Sequence, residues 1–94
     1  SAPDLGEAYF WLGETYFVKS GFDKAAESYI ESMRASPEGP FASSAMIGLA
    51  GALRGMDNAD GACKTLAGFS VQFPNASQDM QVKANRERQR SNCS

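Results

Sequence analysis

Few residues in this chain could do chemistry: Cys63 and Cys93, eleven carboxylates, and a basic run of Lys83, Arg86, Arg88 and Arg90. Histidine is absent. That removes the Ser-His and Cys-His nucleophile arrangements and most zinc sites, since two cysteines cannot by themselves fill a four-ligand zinc shell. Paired carboxylates could act as general acid and base, but no Asp or Glu sits in a run that reads as buried. The nine glycines are scattered, and none forms a phosphate-cradling loop. This inventory points away from an enzyme and away from any metal or organic cofactor.

Charge narrows the partners. The net charge of −2 argues against nucleic acid. Residues 1–60 hold nine acids and four bases, whereas residues 61–94 hold two acids and five bases. No aromatic residue is interleaved with the C-terminal bases, so they read as the solvated face of a terminal helix rather than as a polyanion or membrane-surface patch. With 94 residues, 43% hydrophobic and 21% charged, the chain reads as one small globular domain. No apolar run approaches the roughly 20 residues of a membrane span, so no membrane insertion is expected. Ser1-Ala2-Pro3-Asp4 is neither basic nor apolar and there is no initiator Met, so the chain reads as a mature product or a fragment.

The elements that must position these residues read as helices almost throughout. Tyr9, Leu12 and Tyr16 form one apolar face of a first helix from Leu5 to Lys19, and Phe10, Phe17 and Val18 a neighbouring one. Asp4 and Glu7 have the form of a capping box, and Ser20-Gly21 ends the helix, with Gly as the stop. A second helix runs from about Phe22 to Ala35, burying Ala25, Ala26, Tyr29, Ile30 and Met33. A third starts at Pro40 and ends at Arg54-Gly55, a fourth covers about Ala59 to Phe73, and a fifth, poor in apolar residues, runs from Ser77 to about Arg90.

Helix pairs with tight turns call for a self-comparison. Laying Leu12-Gly13 on Ile47-Gly48, Ala25 on Ala62, Tyr29 on Leu66 and Pro37 on Pro74 gives two units, the second with two extra residues in its turn "GMDNADG". The first unit carries Tyr9, Leu12, Gly13, Tyr16, Ala25, Tyr29 and Pro37 at the spacing W-x2-L-G-x2-Y…A…aromatic…P, and so resembles the tetratricopeptide (TPR) repeat. Gly13 and Ala25 are small where the two helices of a pair cross, and the tyrosines fill the space beside them. The expected fold is all-α, built of TPR-like antiparallel helix pairs: one repeat over about 6–39, a second over about 41–76, and a C-terminal capping helix over about 77–91.

The phrases "YFWLGETYF…GFDKAAESY", "GLAGAL…GACKTLAGFSVQFPNAS" and "RERQRSNC" extend the likeness. Together they resemble the C-terminal TPR domain of the YbgF/CpoB family, periplasmic coordinators of the Tol–Pal envelope system of Gram-negative bacteria. The most telling local match is Ala62-Cys63-Lys64-Thr65-Leu66. The resemblance implies a non-enzymatic binding module located in the periplasm. Its partners would be a TolA-like protein and a bifunctional peptidoglycan synthase, linking outer-membrane constriction to septal wall synthesis. It also implies a homo-oligomerising coiled coil and a first repeat that this stretch lacks. The domain itself is expected to be monomeric or weakly associating, any dimer using the face left open by the missing repeat. Two other readings stand beside it: a periplasmic TPR scaffold for outer-membrane protein assembly, and a generic peptide-binding TPR adaptor. A co-chaperone clamp for acidic C-termini is disfavoured, because Glu7 and Glu14 stand where it needs bases.

In TPR folds the first helix of each pair lines a concave surface. Carried over, the groove positions are Glu7, Phe10, Glu14, Phe17 and Val18 in the first unit, and Ala42, Ala45, Leu49, Ala52 and Leu53 in the second. Such a groove is apolar with an acidic edge and suits an amphipathic or extended segment with basic residues. Phe10, Phe17 and Leu53 could instead pack against the missing repeat or the last helix. Finally, an even cysteine count in a domain that resembles an exported protein implies a disulfide between Cys63 and Cys93. The short turn at Pro74-Asn75-Ala76 lets the tail after the fifth helix fold back to reach Cys63.

Overall fold

A computed structural model describes residues 4–94; Ser1–Pro3, on which the reading of the chain start rests, lie outside them. The described residues form five helices and no strand: α1 Leu5–Val18, α2 Phe22–Ala35, α3 Ala42–Gly55, α4 Ala59–Gln72 and α5 Gln78–Arg90. Three of the five starts carry a side-chain cap. Asp4 caps α1 by accepting from the N–H groups of Gly6 (2.9 Å) and Glu7 (3.4 Å). Asn58 caps α4 through the N–H of Gly61, and Ser77 caps α5 through that of Met80. The capping box is not closed, because the Glu7 carboxylate accepts from Trp11 Nε1 instead of reaching back to Asp4. α3 starts two residues after Pro40. Pro40 and Phe41 stay in a turn closed by Ala42 N–H on Gly39 O (3.2 Å), which lays the Phe41 ring 5.2 Å from that of Phe10.

The helices pack as antiparallel pairs. Along α1 and α2, Ser32 Oγ donates to Gly6 O at one end, and Gly13 lies against the Tyr29 ring further on. Along α2 and α3, Tyr29 meets Gly48 and Phe22 meets Gly55. Along α4 and α5, Cys63 is bonded to Cys93, and Arg88 Nη2 donates to Leu66 O. By contrast, α1, α3 and α5 run parallel to one another. Phe10 and Phe17 of α1 face Phe41 and Gly51, and Ser44 and Arg54 of α3 reach Met80 and Glu87 of α5. These three helices form one layer. α2 and α4 form the other and do not touch each other.

The repeat is more regular than the sequence comparison suggests. Leu5 and Ala42, Val18 and Gly55, Phe22 and Ala59, and Ala35 and Gln72 each lie 37 residues apart, so all four helix ends recur at one spacing. The turns match bond for bond. Ser20 N–H reaches Phe17 O and Gly21 N–H reaches Tyr16 O; Asp57 and Asn58 do the same to Arg54 and Leu53. "GMDNADG" therefore holds no insertion, and Gly13 corresponds to Ala50 rather than to Gly48. Nor is Gly21 the left-handed stop of α1. Ser20 takes that conformation (φ 61°), Asp57 takes it after α3 (φ 59°), and Asn92 takes it after α5 (φ 56°).

Two clusters make the core. Phe10, Ala25, Ala26, Tyr29, Ala45 and Ala52 form the first, between α1, α2 and α3. Ala50, Ala62, Leu66, Phe69 and Ala84 form the second, between α3, α4 and α5. Alanines and glycines at the crossings let the helices approach closely, and the aromatic rings fill the remaining space. α5 contributes little apolar surface and is held in three other ways. The Cys63–Cys93 disulfide spans 30 residues. Arg88 bonds to the α4 backbone. The buried Glu87 carboxylate is shared between Arg54 (3.1 Å) and Arg90 (3.2 Å).

Candidate functional site: a concave groove across α1, α3 and α5

The inner layer encloses a concave cavity of about 230 Å³. Phe10, Glu14 and Phe17 of α1 form one wall, and Met80, Lys83 and Glu87 of α5 the other. Ser44, Ile47, Gly48 and Gly51 of α3 form the floor, with Tyr29 reaching in from α2. A 37-residue shift carries Phe10 to Ile47 and Glu14 to Gly51, so the floor of the groove is the same helix face as its first wall. Ser44 and Met80, whose side chains are hydrogen-bonded to each other (3.3 Å), also line a second, wider hollow bounded by Glu38, Pro40, Phe73 and Ala76.

Two of the acids in the groove have partners within the domain. Tyr29 donates its phenol O–H to Glu14 Oε1. Burial first, and then this bond and the charge of Glu14, push the Tyr29 phenol far above its ordinary pKa of 10.0. Glu87 is neutralised by its two arginines. Lys83 makes no ion pair among the described residues. The groove is therefore apolar and mixed in charge, with Glu14 on one wall and Lys83 on the other.

The expected site residues divide into three groups. Phe10, Glu14 and Phe17 come together on the concave wall. Ala42, Ala45, Leu49 and Ala52 do not face it: Ala42, Ala45 and Ala52 are fully buried, and Ala45, Leu49 and Ala52 pack into the cluster that α3 shares with α2. Leu53 packs into the second cluster toward α4. Glu7 is exposed and turned to Trp11, and Val18 is exposed outside the groove. The displacement has one cause. Aligning Gly13 on Gly48 slipped the second unit by two residues, about 200° of helix rotation, and turned the proposed lining almost to the opposite side. The equal spacing of the helix ends was the signal that places Ser44, Ile47 and Gly51 correctly. Met80, Lys83 and Glu87 join the site because α5, a capping helix by its sequence, packs on α3 as the third helix of the inner layer.

Among the described residues no three His, Cys, Asp or Glu side chains come together as they would around a metal ion. No helix is long and apolar enough to cross a membrane. Comparison with family models, with curated proteins and with solved structures gives no match to the chain.

Proposed function

We propose that this domain is a non-enzymatic protein-interaction module that holds a segment of a partner protein in the groove between α1, α3 and α5. The observation that carries the reading is the convergence of Phe10, Phe17, Ile47 and Met80 around one concave cavity. The rings and aliphatic groups supply apolar contact area. Lys83 supplies an unpaired positive charge at the rim. A segment with one apolar face and an acidic group beside it fits this wall better than the basic segment expected from Glu7 and Glu14.

With the TPR-like spacing of Tyr9, Leu12, Gly13, Tyr16, Ala25, Tyr29 and Pro37, the partner in this reading is a TolA-like periplasmic protein, and the domain serves as a YbgF/CpoB-type coordinator of envelope constriction. The Cys63–Cys93 disulfide supports an oxidising compartment. Calorimetric titration of the domain with the whole periplasmic part of a TolA protein tests this directly. Phe17→Ala combined with Ile47→Asp should weaken binding by roughly 2 kcal/mol or more, about 30-fold. Equal affinity in a folded double variant would remove the groove from the interface, and no binding by the wild type would remove the TolA-like partner.

A further inference from the structure

The two walls of the concave groove are held in place by different means. On the α1 wall, Phe10 packs in an aromatic cluster with Tyr29 and Phe41, and Gly6 and Gly13 are buried against Ser36 and Tyr29. The α5 wall lacks such support. Ala84 and Glu87 are the buried residues of this 13-residue helix, and Met80 is half-buried beside the second cluster. The Glu87–Arg54 pair and the bond from Arg88 to Leu66 O each use a partly exposed arginine, which water can solvate in exchange. A helix with few buried apolar contacts belongs to the low-stability end of a fold.

The covalent link lies just past the end of α5. This helix ends in the same turn as α1 and α3. Asn92 is left-handed, like Ser20 and Asp57, and Cys93 N–H reaches Arg88 O (2.9 Å) as Gly21 reaches Tyr16 O and Asn58 reaches Leu53 O. The turn sets Cys93 beside Cys63 of α4. Because its hydrogen bonds are local to α5, breaking the sulfur link undocks the helix without unwinding its end. Neither cysteine is buried, so thiol reagents have access to the bond.

We propose that oxidation of Cys63 and Cys93 completes the groove and that their reduction opens it. In the dithiol form α5 swings away from α3 and takes Met80, Lys83 and Glu87 out of the cavity, while Phe10, Phe17, Ile47 and Gly51 stay. Closure is a thiol–disulfide exchange with a disulfide oxidant. One cysteine thiolate attacks the oxidant, forming a mixed disulfide and releasing one of its thiols; the second cysteine then displaces the other. Cys63 and Cys93 give up two electrons and two protons, and the oxidant leaves as a dithiol. A dithiol reductant runs the same steps backward. A chain that has not yet met an oxidising compartment therefore carries an unfinished groove. The coupling is reciprocal: a segment bridging both walls favours docked α5 and protects the bond from reduction. This consequence for binding rests on the groove reading above; the opening of the wall does not.

Amide and methyl NMR spectra of the domain, oxidised and in dithiothreitol, test the opening without any partner. Reduction should move the signals of Ser44, Ile47, Gly51 and Met80 and remove the contacts of the Met80 methyl with α3. Tyr9 and Leu12, on the other side of α1, should stay in place, and re-oxidation with oxidised glutathione should restore the first spectrum. Cys63→Ser combined with Cys93→Ser should match the reduced form and ignore dithiothreitol. With the whole periplasmic part of a TolA protein as probe, the reduced domain should bind about tenfold more weakly or worse. Groove signals that coincide in the two forms overturn the proposal. So does a measurable affinity that is equal in both, or a reduced domain in which the signals of all five helices collapse together.

Discussion

Ser20 and Asp57, 37 residues apart, hold the same left-handed backbone conformation, φ 61° and 59°, at the same point of the same turn. Each closes a helix of the inner layer with an identical pair of backbone hydrogen bonds. Neither is glycine, although this region favours glycine. Ser20→Gly should therefore stabilise the domain by about 0.5–1 kcal/mol, and Asp57→Gly by less, because Asp tolerates the conformation better. Urea unfolding midpoints would measure both; a destabilised Ser20→Gly would mean the serine side chain matters more than its backbone.

Tyr29 is held between two glycines, and this crossing joins the two repeats. A Cβ on Gly13 would lie 2.8 Å from its ring, and one on Gly48 2.6 Å. The ring is buried and its hydroxyl is tied to Glu14, so it cannot easily give way. Gly13→Ala and Gly48→Ala should each destabilise by about 1–3 kcal/mol, despite the better helix propensity of alanine. Gly68→Ala is the control. Nothing lies within 4 Å of the added methyl, and stability should rise by about 0.5–1 kcal/mol. Thermal denaturation of the three variants should separate them in that order.

The same tyrosine sets an alkaline limit. Its folded-state pKa is raised, chiefly by burial and then by Glu14. The stability it contributes is therefore complete below the ordinary phenol value of 10.0 and declines as pH rises above it, because only the unfolded chain ionises there. The slope should approach about 1.4 kcal/mol per pH unit. Tyr29→Phe should be less stable at neutral pH, through loss of the bond to Glu14, yet lose this part of the alkaline slope. Unfolding curves between about pH 9 and 11 test it, and an unchanged slope in the variant would assign the effect to other groups.

Reduction of Cys63–Cys93 should act on one end of the molecule. The bond closes a 30-residue loop, for which chain entropy gives roughly 3–4 kcal/mol. α5 brings few apolar residues of its own to the core. Amide exchange in reducing buffer should accelerate first in residues 78–93 and last in α1 and α2. Uniform acceleration would show instead that the array unfolds as one unit.

The helices were legible in the sequence and the register between them was not. Periodicity, Pro37, Pro74 and the caps at Asp4 and Ser77 fixed every helix to within two residues, because local backbone chemistry decides those points. Register depends on which small residue serves which neighbour. Gly13 and Gly48 both make room for Tyr29, but from opposite sides. Identity of residue type therefore suggested an equivalence that packing denies. Leu12 with Leu49, Gly13 with Ala50 and Tyr16 with Leu53 is the correspondence the 37-residue spacing supports, and it moves the α3 share of the groove from Ala45, Leu49 and Ala52 to Ser44, Ile47 and Gly51. The role of α5 was hidden because its inner face joins Met80 to Lys83 and Glu87, a polar pattern that reads as solvent-facing until Arg54 is placed beside it.

Backbone amide shift mapping on the ¹⁵N-labelled domain, titrated with the whole periplasmic part of a TolA protein, tests the central claim most directly. The account predicts that the largest changes fall on Phe10, Glu14, Phe17, Ile47, Gly51, Met80 and Lys83, along the concave groove. Shifts confined to α2 and α4, with these residues unmoved, would contradict it.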